Sequence, residues 1–199
     1  MDEKKEMLAG LLDMLNEIRP LSNELANALV NSFDMKAVSK KTVLLQEGKI
    51  CTHVWFIVEG LLRSYHTIED KEITTRIMHT NFIAIAPGSF FTQTAATESI
   101  ETIEDCSLGM LAFTALQKLF LEFPAFNYHN RLLTEQYFYK LEQRLYMLRK
   151  HDAAAKYDYF LENYATYSKN IPQKYIASFL NIAPETLSRI RSKARKKIR

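Results

Sequence analysis

A chain of 199 residues, 47% hydrophobic and 25% charged with a net charge of +3, is long enough for one large or two modest domains around a sizeable core. No apolar run approaches the roughly 20 residues of a membrane-spanning helix, and the acidic start lacks the basic-then-apolar order of a secretory leader. A cytoplasmic protein with no membrane partner is therefore expected. The charge is uneven, since Arg189, Arg191, Lys193, Arg195, Lys196, Lys197 and Arg199 make seven of the last eleven residues basic. Such an end either suits a polyanion or only complements the dipole of a helix that stops there.

Taken in order, Met7, Leu8, Leu11, Leu12, Leu15 and Ile18, then Leu21, Leu25 and Leu29, recur at helical spacing on either side of Pro20. Two helices are predicted over 7–33. The pattern then shortens to β-rich runs at 42–45, 52–58, 61–68 and 72–79, with further runs at 99–103 and 107–113. Gly48, Gly60 and Glu69-Asp70-Lys71 mark corners, so successive antiparallel strands in a roll or barrel are expected. Cys51 and Cys106 have no C-x-x-C spacing and read as buried thiols of a reducing compartment, not as a disulfide or an iron–sulfur site. His53, His66, His79, His129 and His151 are scattered singly, so neither a metal nor another cofactor is expected.

Within 83–99 the run Pro87-Gly88-Ser89-Phe90-Phe91-Thr92-Gln93-Thr94 is apolar with hydroxyls and one amide. Gly88, Ser89, Phe90, Thr92 and Gln93 could line a pocket for an uncharged ligand, or fill a core without one. A short helix is predicted over 115–122, and Phe123-Pro124 ends it. A long helix follows over 125–150. There Arg131, Thr134, Phe138, Leu141, Leu145 and Leu148 alternate steps of three and four, the seam of a short coiled coil, with Thr134, Phe138, Leu141, Leu145 and Leu148 as the dimer interface. The stripe could instead cover the chain's own roll. Tyr137, Phe138, Tyr139 and Tyr146 are expected to add apolar cover toward the roll or the next domain. His151-Asp152 is a hinge candidate, with Asp152 the N-cap of a helix over 153–164.

The last stretch, 171–199, carries two short helices, a tight corner and the basic end. Pro172 suits the first turn of a helix whose buried face is Ile176, Ala177, Phe179 and Leu180. Asn181 tolerates the left-handed conformation of a sharp exit. Pro184 opens a second helix, on which Ile182, Leu187 and Ile190 can face the first while Glu185, Ser188, Arg189 and Ser192 point away. Ala183 sits where a Ser, Thr, Asp or Asn would cap that helix, leaving one N–H without a side-chain acceptor. Glu185 and Arg189, four apart, either form an exposed pair or reach bases together: a carboxylate accepts from cytosine N4 and a guanidinium donates to guanine O6 and N7. With Lys193, Arg195 and Lys196 toward phosphates, the order of elements is that of a helix-turn-helix for double-stranded DNA.

Glu185-Thr186-Leu187-Ser188-Arg189 following Ile176-Ala177 resembles the recognition element of Crp/Fnr family transcriptional regulators. Glu47-Gly48 and Phe56-Ile57-Val58-Glu59-Gly60 with Leu61-Leu62-Arg63 resemble the cyclic-nucleotide-binding β-roll of the same family. The resemblance implies an α+β fold: an antiparallel β-roll flanked by helices over 1–124, a dimerisation helix over 125–150, and a small all-α helix-turn-helix domain over 151–199. Only 192–199 follow the reading residues, so the β-hairpin wing common in the family is expected to be missing. The resemblance further implies a homodimer reading a pseudo-palindromic TGA-type site through Glu185 and Arg189, with Ser188 adding a base contact. RNA polymerase and an unidentified small-molecule effector are the other partners it suggests. Between Ile83 and Ser99 there is no Gly-Glu pair and no Arg, the groups that hold a cyclic phosphate in the family, so tight cyclic-AMP binding is not expected. The other functional class left open is a sensory module with an apolar pocket and no specific DNA readout. No nucleophile elbow, phosphate loop or metal-ligand cluster points to an enzyme.

Overall fold

The computed structural model describes residues 2–197, and side-chain surroundings through Lys193. Three helical segments, α1 (Asp2–Met7), α2 (Ala9–Ile18) and α3 (Asn23–Ser32), precede the first strand. The Ser22 hydroxyl caps α3 by accepting from the Leu25 N–H at 3.2 Å, satisfying one of the donors every helix start leaves open. Eight strands follow: β1 (Phe33–Val38), β2 (Val43–Leu45), β3 (His53–Glu59), β4 (Leu61–Ile68), β5 (Lys71–His79), β6 (Ile83–Ala84), β7 (Ser99–Thr102) and β8 (Cys106–Ala112). They pair antiparallel in two sheets, ordered β1-β8-β3-β6 and β2-β7-β4-β5. Between β6 and β7 lies α4 (Pro87–Thr92); after β8 come α5 (Phe113–Glu122), α6 (Phe126–Arg149) and α7 (Ala153–Tyr164).

One tight corner carries the chain from the first sheet into the second, and one tight hairpin lies within the second. Gly60 joins β3 to β4 at φ +113°, and a Cβ there would lie 2.5 Å from the Cys106 sulfur, so this corner requires glycine on both conformational and steric grounds. Glu69 and Asp70 join β4 to β5, both at positive φ (48° and 59°), as a two-residue hairpin loop of matching twist demands.

The continuous burial of Leu61 through Tyr65 on β4 follows from covering both faces of one strand. Leu62 and Met78 point into the roll, where they join Phe56, Ile100 and Leu108 in the larger core. Leu61 and Ile77, on the opposite face, join Met147, Tyr157, Phe160, Ile176, Phe179 and Leu187 in a second core. The helices after α6 therefore pack directly on the outside of the roll. Among the described residues no helix is long and apolar enough to cross a membrane.

The structure departs from the sequence reading in several places. Instead of two N-terminal helices there are three, because α1 is a polar turn with no buried residue and so carries no apolar stripe to read. β1 and β6 were also not expected. The first pairs with β8 along six residues but alternates poorly (FDMKAV), and the second is only two residues long. Phe138, Tyr139 and Tyr146 are 67%, 60% and 65% exposed, so of the four aromatics expected to give apolar cover only Tyr137, half-buried, gives any.

Both thiols are buried and unpaired. Burial pushes the Cys106 thiol up to about 11 and raises that of Cys51 as well. Since the thiolate is the reactive form, a disulfide-exchange reagent at pH 8 is expected to leave both untouched until denaturant is added. Rapid reaction of either thiol in the native protein would contradict the placement.

Candidate nucleic-acid interface

The helix pair of the interface is α8 (Gln173–Phe179) and α9 (Pro184–Lys197). Pro172 stands just before α8, at its N-cap and not within its first turn, with extended backbone (φ −55°, ψ 135°). The exit of α8 is fully satisfied. Asn181 adopts φ +50°, its N–H donates to the Ser178 carbonyl at 3.0 Å, and the Ile182 N–H donates to the Ala177 carbonyl at 3.1 Å. That paired return of two N–H groups around a left-handed residue is how a helix closes its last carbonyls in a tight corner. Ala177, 1% exposed, lets the two helices approach.

Leu187, fully buried, and the half-buried Ile182 and Ile190 turn one face of α9 into the second core. Burying a leucine this way contributes roughly 1.5–3 kcal/mol and fixes the rotation of the helix. The other face is thereby presented to solvent: Glu185, Ser188, Arg189, Ser192 and Lys193 are all exposed. Among the described residues no ion pair links Glu185 to Arg189, so the plain i,i+4 pair is not what occupies these side chains. The side chains of Arg195 and Lys196, also expected at this surface, lie outside the described residues.

A buried cation fastens this helix pair to the roll. Arg63 on β4, 1% exposed, donates Nε to Glu101 Oε1 at 2.7 Å and Nη1 to Thr74 Oγ1 at 3.3 Å, and pairs through Nη2 with Glu72. Its guanidinium lies between the rings of Tyr65 (4.1 Å) and Tyr175 (3.8 Å), and Tyr175, on α8, donates its hydroxyl to Glu101 at 3.3 Å. Burial works against the Arg63 charge, but the bonds to Glu72 and Glu101 outweigh it and raise the pKa. Nearby, the Ser178 hydroxyl accepts from the Thr74 N–H at 2.8 Å. β5 is an edge strand whose outward donors need partners, and α8 supplies one. None of Arg63, Tyr175 or Ser178 stood out in the sequence as a contact between domains. The only signal was an arginine inside the apolar run Leu61–Tyr65.

Of the expected dimer residues on α6, Thr134, Phe138, Leu141 and Leu145 are exposed, Phe138 by 67% and Leu145 by 52%. Leu148 is half-buried against the second core. α6 is anchored on its other side by Phe126, His129 and Met147, with the His129 Nε2 donating to the Arg19 carbonyl at 2.9 Å. The five expected pocket residues lie on or beside α4 and mostly satisfy one another. Ser89 accepts from the Cys51 N–H at 2.9 Å, Gln93 donates to the Phe90 carbonyl at 2.6 Å, and Thr92 donates to the Gly88 carbonyl at 2.6 Å. Only Phe90 borders the apolar cleft of about 210 Å³ that opens between α2, the roll and α6, beside Phe56, Phe82 and Leu133. The five histidines sit apart; His79 stacks on Tyr167 with centroids 4.6 Å apart.

Residues 35–123 match the cyclic nucleotide-binding domain family. FixK2 from Bradyrhizobium japonicum superposes with a TM-score of 0.74 at 16% identity, covering 83% of this chain and 85% of that one. A transcriptional regulator assigned to the Crp/Fnr family, from Eubacterium rectale, gives 0.66 at 17% identity over 89% and 85% of the two chains. The chain has the Crp/Fnr fold. A CooA mutant from Carboxydothermus hydrogenoformans aligns over 94% of this chain and 84% of its own, at 23% identity and a TM-score of 0.68. The Crp/Fnr likeness thus runs through roll, long helix and helix-turn-helix together. No curated protein matches the chain in sequence.

Ala183 precedes α9, and its carbonyl accepts the first intrahelical bond, from the Leu187 N–H at 3.1 Å, but its methyl can cap nothing. Ala183→Ser is expected to raise stability by roughly 0.5–2 kcal/mol, read as a higher urea midpoint at unchanged slope. An unchanged midpoint would mean that the free donor is satisfied some other way.

Proposed function

We propose that the protein is a sequence-specific DNA-binding transcriptional regulator of the Crp/Fnr type, acting as a homodimer on a pseudo-palindromic TGA-type site. The observation that carries this reading is the solvent-facing side of α9: Glu185, Ser188 and Arg189 stand exposed on a helix whose other face is locked by Leu187. Arg189 donates to guanine O6 and N7, Glu185 accepts from cytosine N4, and Ser188 contacts a neighbouring base edge. Ser192, Lys193, Arg195 and Lys196 continue toward the phosphates, which set affinity and register but not sequence choice.

Dimerisation through Thr134, Phe138, Leu141, Leu145 and Leu148 of α6 gives the site its two-fold symmetry. A seam at steps of three and four, exposed from Thr134 to Leu145 and half-buried at Leu148, is what a coiled-coil partner covers, and two reading helices then meet half-sites about 10 bp apart on one face of the duplex. The boundaries proposed are 1–124 for the sensory roll, 125–150 for the dimer helix and 151–199 for the DNA domain. Cyclic AMP is not the effector on this reading, because the segment 83–99 contains neither the arginine nor the Gly-Glu pair, and the polar groups of α4 bond within the chain. An uncharged effector would find room in the apolar cleft beside Phe90.

Two measurements follow. In fluorescence anisotropy, Arg189→Ala is expected to lose about 1–3 kcal/mol on a TGA/TCA palindrome and little on scrambled DNA; equal losses on both would remove Arg189 from base reading. Leu145→Lys is expected to shift the protein from dimer to monomer in sedimentation at micromolar concentration. A dimer that persists unweakened would place the interface elsewhere.

A further inference from the structure

Where β5, α6, α7 and the end of α8 meet there is a second cleft, of about 110 Å³ and lined by Arg76, Lys140, Arg144, Tyr159 and Tyr164 among others. Its charge is unbalanced. Arg76 pairs with Glu98 at 2.6 Å, but among the described residues no carboxylate pairs with Arg144 or Lys140. The Arg144 guanidinium lies 3.8 Å over the Phe179 ring and gives Nη2 to the Phe179 carbonyl at 3.2 Å, while its buried Nη1 has no partner. A half-buried cation with one N–H buried and unpartnered is costly unless an anion neutralises it. Burial brings Arg144 down to about 10, which still leaves it charged at neutral pH. Burial also pushes Tyr164 up to about 12 and raises Tyr159, so both hydroxyls keep their protons and can donate.

We infer that this cleft is a binding site for a phosphate-class oxyanion, held by Arg144 and Lys140 with the hydroxyls of Tyr159 and Tyr164 completing its shell. Arginine suits this task because its planar fork meets two oxygens of one anion. The volume, well below the roughly 300–1,000 Å³ of pockets for drug-sized ligands, admits a free anion or the phosphate end of a larger molecule reaching in from solvent. The walls come from the roll, the long helix and the helix-turn-helix region together, so an anion here would hold the three at one joint. This inference rests on the charge of the joint and not on base reading by α9, and stands or falls separately from it.

The test is thermal denaturation and calorimetry of the full chain with inorganic phosphate and, in a second arm, glycerol phosphate, each against chloride at equal ionic strength. Phosphate is expected to raise the Tm of the wild type, since a ligand of the folded state stabilises it. Lys140→Met, an exposed position that should fold normally, is expected to weaken phosphate about tenfold, and Arg144→Lys, which keeps the charge but loses the fork, by a similar factor. Binding of phosphate but not the ester would assign the site to the free anion, and tighter binding of the ester to the end of a larger ligand. No effect of either compound beyond chloride, or an effect undiminished in both variants, would overturn the inference.

Discussion

The arrangement depends on one buried cation. Arg63 sits in the middle of β4 with its guanidinium flat between Tyr65 and Tyr175, and it satisfies Glu72, Glu101 and Thr74 from the same fork. Tyr65, Glu72, Thr74 and Glu101 belong to the roll; Tyr175 belongs to α8. A buried ion pair is a weak source of net stability, because desolvation consumes most of the Coulombic gain. Its contribution is geometric: a planar cation with fixed donors accepts one placement of the Tyr175 ring, whereas the apolar contacts of Leu61 and Ile77 with the second core would tolerate several.

That placement decides which side of the helix-turn-helix faces outward. α8 lies against the edge strand β5, bonded through Thr74 and Ser178, and α9 packs its Leu187 face inward. What remains for solvent is the side bearing Glu185, Ser188 and Arg189. Roll and helix pair thus share a single packed joint, and the long helix α6 runs past it with Arg144 stacked on Phe179 at the end of α8. A change in the roll or in α6 would be felt at that joint before anywhere else in the helix pair.

Much of this was legible in the sequence, and the reasons differ by element. Strands bounded by Gly60 and by Glu69-Asp70 announced themselves because sharp corners need residues that accept positive φ. The corner of the helix pair was readable from Asn181, and the start of α7 from Asp152, whose carboxylate accepts from the Ala154 N–H at 3.0 Å. What escaped were features that need a partner distant in sequence. β1 is a poor strand by itself and exists because β8 supplies its bonds; the apolar run Leu61–Tyr65 signals cover on both faces but not what covers the second. An arginine in the middle of a long helix reads as solvated surface, so Arg144 gave no sign of lining a cleft against α7 and α8. Likewise Tyr139 and Tyr146 sit at spacings compatible with packing, yet fall on the side of α6 that its own chain leaves open.

The central claim is that α9 reads sequence in a two-fold arrangement, and it can be tested without presuming a half-site. The measurement is selection of bound duplexes from a random pool by the purified protein, at two salt concentrations, followed by sequencing. The account predicts enrichment of a palindromic motif with a fixed spacing of about 10 bp between half-sites and a G·C pair at corresponding positions of each. A bound fraction that depends steeply on salt but carries no enriched motif would contradict it, because such binding needs only the basic end and the phosphates.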